Sequence, residues 1–463
     1  MEELLRLDAR AVAGLLAKGE VSPREVVDLA AARHEQVDDA VNALPTPCFD
    51  RARKAAAKPQ AGPLHGLPVA IKDLTDVAGL RCTLGSAAFA ERIADTSDIV
   101  VQTLESRGGI VIGKSNTPEF GAGAQTFNEV FGVTRNPWNT ALTPGGSSGG
   151  SAVAVATGQA WLAHGTDLGG SLRIPAAFSG VVGLRPSPGR VARGPDPLPY
   201  STLDVHGPLA RSVGDAALML DAMSGAHPFD PLSLPRPEQP FTAAVDAPRA
   251  PRRIAWSPDL GVAPVDREIK EVCARAVARF AGLGVAVEEA HPDLSDAETI
   301  FQTLRAAHFA MLHAPTLERQ RDKLKPEVVW NIEKGLALDA DTIGKAERAR
   351  AALVWRCTDF FTRFDLLACP VTVVPPFDVT MRYPTEAGGV AFATYISWVA
   401  PTFAITLTGC PALSLPCGFT RNGLPVGLQL IAPPRGEAAL LSAAALLEAE
   451  LALPKGPIDV KQG

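Results

Sequence analysis

The sequence predicts an α/β protein built on one large, partly parallel β-sheet that is completed late in the chain. Two strand-like runs, Leu67–Ile71 and Ile110–Ile112, flank a single helix-forming stretch, the rhythm that produces parallel pairing. Three further strand candidates, Leu366–Val374, Ala412–Pro416 and Val426–Ile431, lie near the other end. The intervening residues 266–364 are mostly helical in pattern, and no internal repeat divides the chain.

Residues 4–18 and 23–37 are patterned as amphipathic helices, the second opened by Ser22-Pro23, a cap followed by a first-turn proline. They are expected to form an N-terminal arm over residues 1–60, packed on a core at 61–215. Within that core a helix begins near Ser97 and stops at Gly108-Gly109. Residues 143–190 are rich in Gly, Ser and Ala and nearly free of acids, so backbone amides there can approach a ligand closely. The proline-studded stretch 194–252 predicts long surface connections. A mainly helical insert at 260–365 then leads into 366–463, the closing strands and a final helix over 437–451.

With 463 residues, 46% of them hydrophobic, the chain can bury a large core, which excludes a disordered or fibrous protein. Lys and Arg number 44 against 50 Asp and Glu, and the basic residues are scattered, which argues against nucleic acid as a partner. The seven cysteines are odd in number and include no C-x-x-C pair, as expected of reduced thiols in the cytoplasm. The opening MEELLRLDARAVAG lacks the apolar stretch of a signal peptide, and no run of about 18 apolar residues suggests a membrane span. No H-E-x-x-H spacing occurs, and neither a metal nor another cofactor is expected.

Two short motifs point elsewhere. Gly108 to Ser115 fits the phosphate-loop pattern G-x-x-x-x-G-K-[ST], but its interior is the β-branched run Ile110–Ile112 and a helix precedes it. Gly145-Gly146-Ser147-Ser148-Gly149 fits the nucleophile elbow G-x-S-x-G, with His164, His206, His227, His291, His308 and His313 downstream. None of those histidines sits in a stretch resembling a catalytic loop. Gly121-x-Gly123 lacks the third glycine of a dinucleotide fingerprint.

The run Thr143-Pro-Gly-Gly-Ser147-Ser148-Gly-Gly-Ser151, followed by Gly165-Thr-Asp167-Leu-Gly169-Gly170-Ser171-Leu-Arg173-Ile-Pro175, resembles the signature of the amidase signature family. Upstream, Gly62 to Asp73 is similar to the family's lysine motif, and Gly113 to Phe120 to the segment after it. Downstream, Gly409 to Pro416 and Gly423 to Ile431 resemble its closing strands. The resemblance implies a single α/β domain with a large mixed sheet flanked by helices. It further implies an amidohydrolase that cleaves a carboxamide or related C–N bond of a small molecule, releasing ammonia or an amine.

Residue by residue, Ser171 matches the family's nucleophile, Ser147 a bridging serine held through a cis peptide, and Lys72 the base. A serine hydroxyl needs a base within reach at the moment of attack, and lysine serves only when burial keeps it neutral. The apolar run leading into Lys72 suits such burial. The oxyanion donors map onto the backbone of Leu168, Gly169, Gly170 and Ser171. Asp167 and Arg173 are expected to shape the nucleophile loop, with Arg173 alternatively binding a substrate carboxylate. Ser148 and Ser151 are expected to brace the loop. Phe120, Gly121, Ala122 and Gly123, with residues 300–400, are expected to line the pocket. Thr406 and Arg185 depart from the family pattern, which leaves the substrate open. The alternative is the glutaminase (A-type) component of a tRNA-dependent amidotransferase, against which the proline-rich Gly189–Pro208 segment weighs; a homodimer is the default assembly.

Overall fold

Eleven strands are hydrogen-bonded into one sheet in the computed structural model, which describes residues 2–462. In chain order they are β1 (Thr46–Pro47), β2 (Pro68–Lys72), β3 (Ile110–Ser115), β4 (Leu162–Asp167), β5 (Val182–Arg185) and β6 (Val205–Ala210). There follow β7 (Arg253–Trp256), β8 (Ala286–Glu289), β9 (Leu366–Pro370), β10 (Ala412–Phe419) and β11 (Pro425–Ile431). Across the sheet they run β1-β3-β2-β4-β6-β5-β10-β11-β9-β7-β8. β2 lies parallel to both β3 and β4, and β7 to both β8 and β9, while the remaining pairs are antiparallel. The sheet is therefore mixed, and strands from both ends of the sequence meet in it at β5 and β10.

Strands β2, β3, β6, β9 and β11 are buried at every residue, as expected where helices cover both faces. The helix Gly149–Ala156 holds only Gly, Ser, Ala and Val and is wholly buried against β2, β4 and β6. Its composition has a steric cause: a Cβ on Gly150 would stand 2.3 Å from the backbone nitrogen of Asn116. The helix Arg173–Ser179 packs on β5, β10 and β11, and Glu437–Leu451 on β10. Three long helices, Ala297–Gln320, Pro326–Leu336 and Ala340–Phe360, form a separate layer joined to the sheet through Ala400–Thr408. Among the described residues no helix is long and apolar enough to cross a membrane.

Several expectations need correction. The helix expected over 4–18 is two, Glu2–Arg6 and Ala9–Lys18, because the Asp8 side chain accepts from Ala11 N–H and caps a new start. The second helix runs on to Val41 behind the capping box of Ser22 and Glu25. The proline-rich stretch is more than surface connection, since it contains the buried strand β6 and the almost wholly buried helix Val213–Met223. Pro208 is tolerated inside β6 just where pairing with β5 stops, at Leu209. The helical region also conceals the edge strand β8, and β9 ends at Pro370, four residues early.

Candidate active site

Lys72 is the last residue of β2, and its side chain is fully buried. Its Nζ lies 2.7 Å from Ser147 Oγ, 2.9 Å from Ser148 Oγ and 2.9 Å from Thr166 Oγ1. Burial pushes Lys72 well below the ordinary lysine value, opposed only by the carboxylate of Asp167. A neutral amine has two N–H groups and one lone pair, so among three hydroxyls it donates to two and accepts from the third. Ser148 spends its own proton on the carbonyl of Thr166, at 3.2 Å. Ser147, at the cavity edge, is left able to give its proton to Nζ. The neighbouring lysine behaves in the opposite way. Burial works against the charge of Lys114 in β3, but Asp73 at 2.9 Å holds it above the ordinary value. Lys114 is thus a buried structural cation, and from Ile110 to Ser115 the Gly108 to Ser115 run is strand rather than phosphate loop.

Both serines stand where the chain enters a helix. Ser147 follows a cis peptide from Gly146 and precedes Gly149–Ala156, and Ser171 precedes Arg173–Ser179. The two turns are tied together, with Ser148 N–H donating to the Ser171 carbonyl at 3.1 Å. Ser147 and Ser171 line the same cavity. Among the described residues no hydrogen bond yet joins their hydroxyls, a contact that commonly tightens only with substrate in place. Ser151 is a brace: its hydroxyl meets the His164 carbonyl at 2.8 Å and Ser115 Oγ at 2.6 Å.

Between β4 and Ser171 the chain folds back on Asp167, whose carboxylate accepts from Gly170 N–H at 2.9 Å and Leu172 N–H at 3.1 Å. Gly170 has φ 122, and a Cβ there would lie 2.3 Å from Thr402 Oγ1, so only glycine fits. One expectation is revised, because the Gly170 N–H is spent on Asp167. The amides of Leu168, Gly169 and Ser171 have no partner among the described residues and are the donors left for an oxyanion.

The cavity over Ser171 has a volume of about 290 Å³. Phe120, Gly121 and Gly123 line one side. Phe120 takes φ 48 and stacks on His313 with ring centroids 4.2 Å apart. A Cβ on Gly121 would come within 3.2 Å of Ser147 Oγ, so the small residue keeps the Ser147 hydroxyl accessible. Ala122 points away, into a minor apolar cluster with Phe309 and Val328, and does not line the cavity. The helix Ala297–Gln320, which carries His313, adds Phe301, His308, Phe309 and Leu312 to the lining.

A family model described as Amidase matches residues 25–441 of the chain. The chain belongs to the amidase signature family. It is 35% identical to an acylamidase of Rhodococcus erythropolis over 456 residues, covering 96% of this chain and 95% of that protein. It is also 35% identical to the A subunit of the glutamyl-tRNA(Gln) amidotransferase of Moorella thermoacetica, covering 96% and 97%. Its fold superposes on a substrate complex of 6-aminohexanoate cyclic dimer hydrolase with a TM-score of 0.91, at 28% identity, covering 98% and 99% of the chains.

In this amidase Asp167 and Arg173 are both fully buried. Arg173 donates to both carboxylate oxygens of Asp167 (2.9 and 2.8 Å), to the Thr402 carbonyl (2.9 Å), to Gln429 Oε1 (2.6 Å) and to Thr406 Oγ1 (3.1 Å). All five of its N–H donors are used and it does not reach the cavity, which removes it as a carboxylate binder. The two departures from the family pattern belong to this network: Thr406 takes one Arg173 donor, and Arg185 is a second cation on Asp167, at 3.2 Å. Against the cost of burial, the guanidiniums of Arg173 and, secondarily, Arg185 hold the Asp167 carboxyl below the usual range.

Sequence reasoning missed Thr166 as a Lys72 partner. Pairing of Ala70 with Ala163 carries Lys72 alongside Gly165 and Thr166, so strand register was the available signal. It also missed the wall formed by Asp98, Arg193–Pro197, Asp204 and His206: most of it lies in 194–252, which was read as surface, and Asp98 was read only as part of a helix start.

Proposed function

We propose that this amidase signature hydrolase cleaves a small carboxamide through an acyl-enzyme on Ser171, with Lys72 as base and Ser147 as the proton bridge. Ser171 Oγ attacks the carbonyl carbon, its proton passing to Ser147 Oγ while the Ser147 proton passes to Lys72 Nζ. The amides of Leu168, Gly169 and Ser171 meet the oxyanion, an interaction commonly worth about 3–4 kcal/mol of barrier for each donor that is lost. The proton returns by the same path to the departing nitrogen, the C–N bond breaks, and water hydrolyses the ester by the same relay. The single observation that carries this is the fully buried Lys72, surrounded by three hydroxyls and 2.7 Å from Ser147.

The cavity of about 290 Å³ beside Ser171, with Phe120, Phe301 and Phe309 among its lining residues, suits a small organic amide acted on by a free-standing enzyme. Similarity to the glutamyl-tRNA(Gln) amidotransferase supports a second reading, glutamine hydrolysis in an assembly with other subunits. One experiment addresses both. Ammonia or amine release is followed over aliphatic, aromatic and carboxylate-bearing amides and glutamine, for wild type, Ser171→Ala and Lys72→Ala. Both variants are expected to lose about a thousandfold or more in kcat. Undiminished release by Ser171→Ala overturns the mechanism, and release from glutamine alone favours the amidotransferase reading.

A further inference from the structure

Five formally charged side chains line the cavity: Asp98, Arg193, Asp196, Asp204 and Arg305. Three of them are tied into one cluster, in which Arg193 pairs with Asp204 at 2.5 Å and with Asp196 at 3.1 Å. Asp98 caps the helix Ile99–Ser106, accepting from Val100 N–H at 2.9 Å, and burial pushes its carboxyl up to about 7. It has no cation partner among the described residues and relieves its burial by taking up a proton. Burial lowers the three histidines of the lining, His206, His308 and His313, so these rings are neutral at physiological pH.

Arg305 has no such relief. It is only 4% exposed, and a guanidinium stays charged across the physiological range. Its Nη1 donates to Asn331 Oδ1 and its Nη2 to Tyr395 Oη at 2.7 Å, both neutral acceptors. That uses two of the five N–H groups of an arginine, and the other three have no partner among the described residues. The acids on neighbouring elements are engaged elsewhere, Glu327 with Arg382 and Glu298 with Ser397 Oγ. Burial lowers Lys325 and Lys334, and repulsion from Arg305 adds to the effect, so its charged surroundings include two further cations. A buried charge is costly unless an opposite charge and hydrogen bonds meet it, and here the protein itself supplies no anion.

The helix places this charge beside the reacting centre. Phe301 touches the turn that leads into Ser171, since a Cβ on Gly169 would lie 3.0 Å from its ring. Arg305 follows Phe301 by four residues on the helix Ala297–Gln320, so it lies on the same face about 6 Å further along. Its guanidinium stands 4.7 Å over the ring of Phe309 and 5.5 Å over that of Tyr395, contacts that fix its position in the wall.

We propose that Arg305 binds a substrate carboxylate, so that the amides cleaved at Ser171 carry a carboxylate roughly one helical turn away from the scissile bond. A guanidinium with open N–H groups takes a carboxylate through two parallel hydrogen bonds, and the substrate then brings the anion that the fold leaves out. This rests on the reading of Ser171 as the nucleophile of the same cavity.

Two homologous series test it: monoamides of linear dicarboxylic acids, with the carboxylate in the acyl half, and N-acyl ω-amino acids, with it in the leaving amine. For each, kcat/KM is compared with that of the uncharged amide of equal length and of the ω-ammonium counterpart. Wild type is expected to favour the carboxylate over the uncharged amide by about tenfold to a hundredfold in one series at its best chain length, the net value of a hydrogen bond to a charged group. Arg305→Met should bring that ratio close to one, chiefly through KM, and Arg305→Lys, which keeps the charge, should restore part of it. A merely structural role would lower both rates together and leave the ratio in place. A wild-type ratio near one in both series at every length, or a ratio unmoved by Arg305→Met, overturns the proposal. So does a preference for the ammonium amide, which would assign recognition to Asp98. The wild-type comparison decides the matter even where Arg305→Met does not fold. Failure of the nucleophile assignment is a separate result: continued hydrolysis of the uncharged amide by Ser171→Ala.

Discussion

Replacing Arg173 with methionine keeps most of the side-chain volume and removes five donors at once. The guanidinium holds both oxygens of Asp167, and Gln429, Thr402 and Thr406 lose a partner with it. Breaking a buried ion pair by removing one member costs about 3–5 kcal/mol. Asp167 retains Arg185 and two backbone N–H groups, which argues for the lower part of that range, and the orphaned Gln429 and Thr402 acceptors raise it again. A loss of about 4 kcal/mol follows, a large share of the roughly 5–15 kcal/mol that keeps a domain folded. Urea unfolding of wild type and variant should show a difference of that size in unfolding free energy. In the folded fraction kcat should fall far more than KM rises, because Asp167 fixes the turn that aims the amides around Ser171. A loss below about 1 kcal/mol with unaltered kcat would refute the account. So would a rise in KM confined to carboxylate-bearing amides, which would place Arg173 against substrate after all.

Two further perturbations test the same geometry. Thr166→Val removes one of the three hydroxyls around Lys72. The ammonium form loses more by this than the neutral amine, so the acid limb of the kcat/KM profile, where Lys72 must lose its proton, should move to lower pH while kcat drops about tenfold. A shift to higher pH contradicts that assignment. Gly170→Ala drives a Cβ into Thr402 at φ 122 and should destabilise by more than about 2 kcal/mol, read by thermal unfolding; an unchanged melting temperature would mean that the turn yields freely.

The parts of the site that the sequence made legible are those where chemistry is local. Ser147, Ser171 and their glycines lie in two continuous runs, and the helix limits near Ser22 and Glu437 follow from capping and periodicity. The parts that stayed hidden depend on contacts between distant segments. Whether the Gly170 N–H faces an oxyanion or a carboxylate is decided by how the Asp167 side chain turns back, and motif spacing does not encode that. β6 was concealed because Pro208 and its proline-rich surroundings mimic a loop, and with β6 went His206. Ala122 sits among pocket residues in sequence, but the left-handed backbone at Phe120 and Gly121 turns its methyl to the other side.

Arg173 reaches forward to Thr402, Thr406 and Gln429, more than two hundred residues later in the chain. A nascent chain that has emerged only through residue 200 already holds Lys72, Ser147 and Ser171, but β5 has no β10 beside it and the arginine has none of those late acceptors. The turn that carries Ser171 therefore gains its full set of hydrogen bonds only once residues 402–429 are in place.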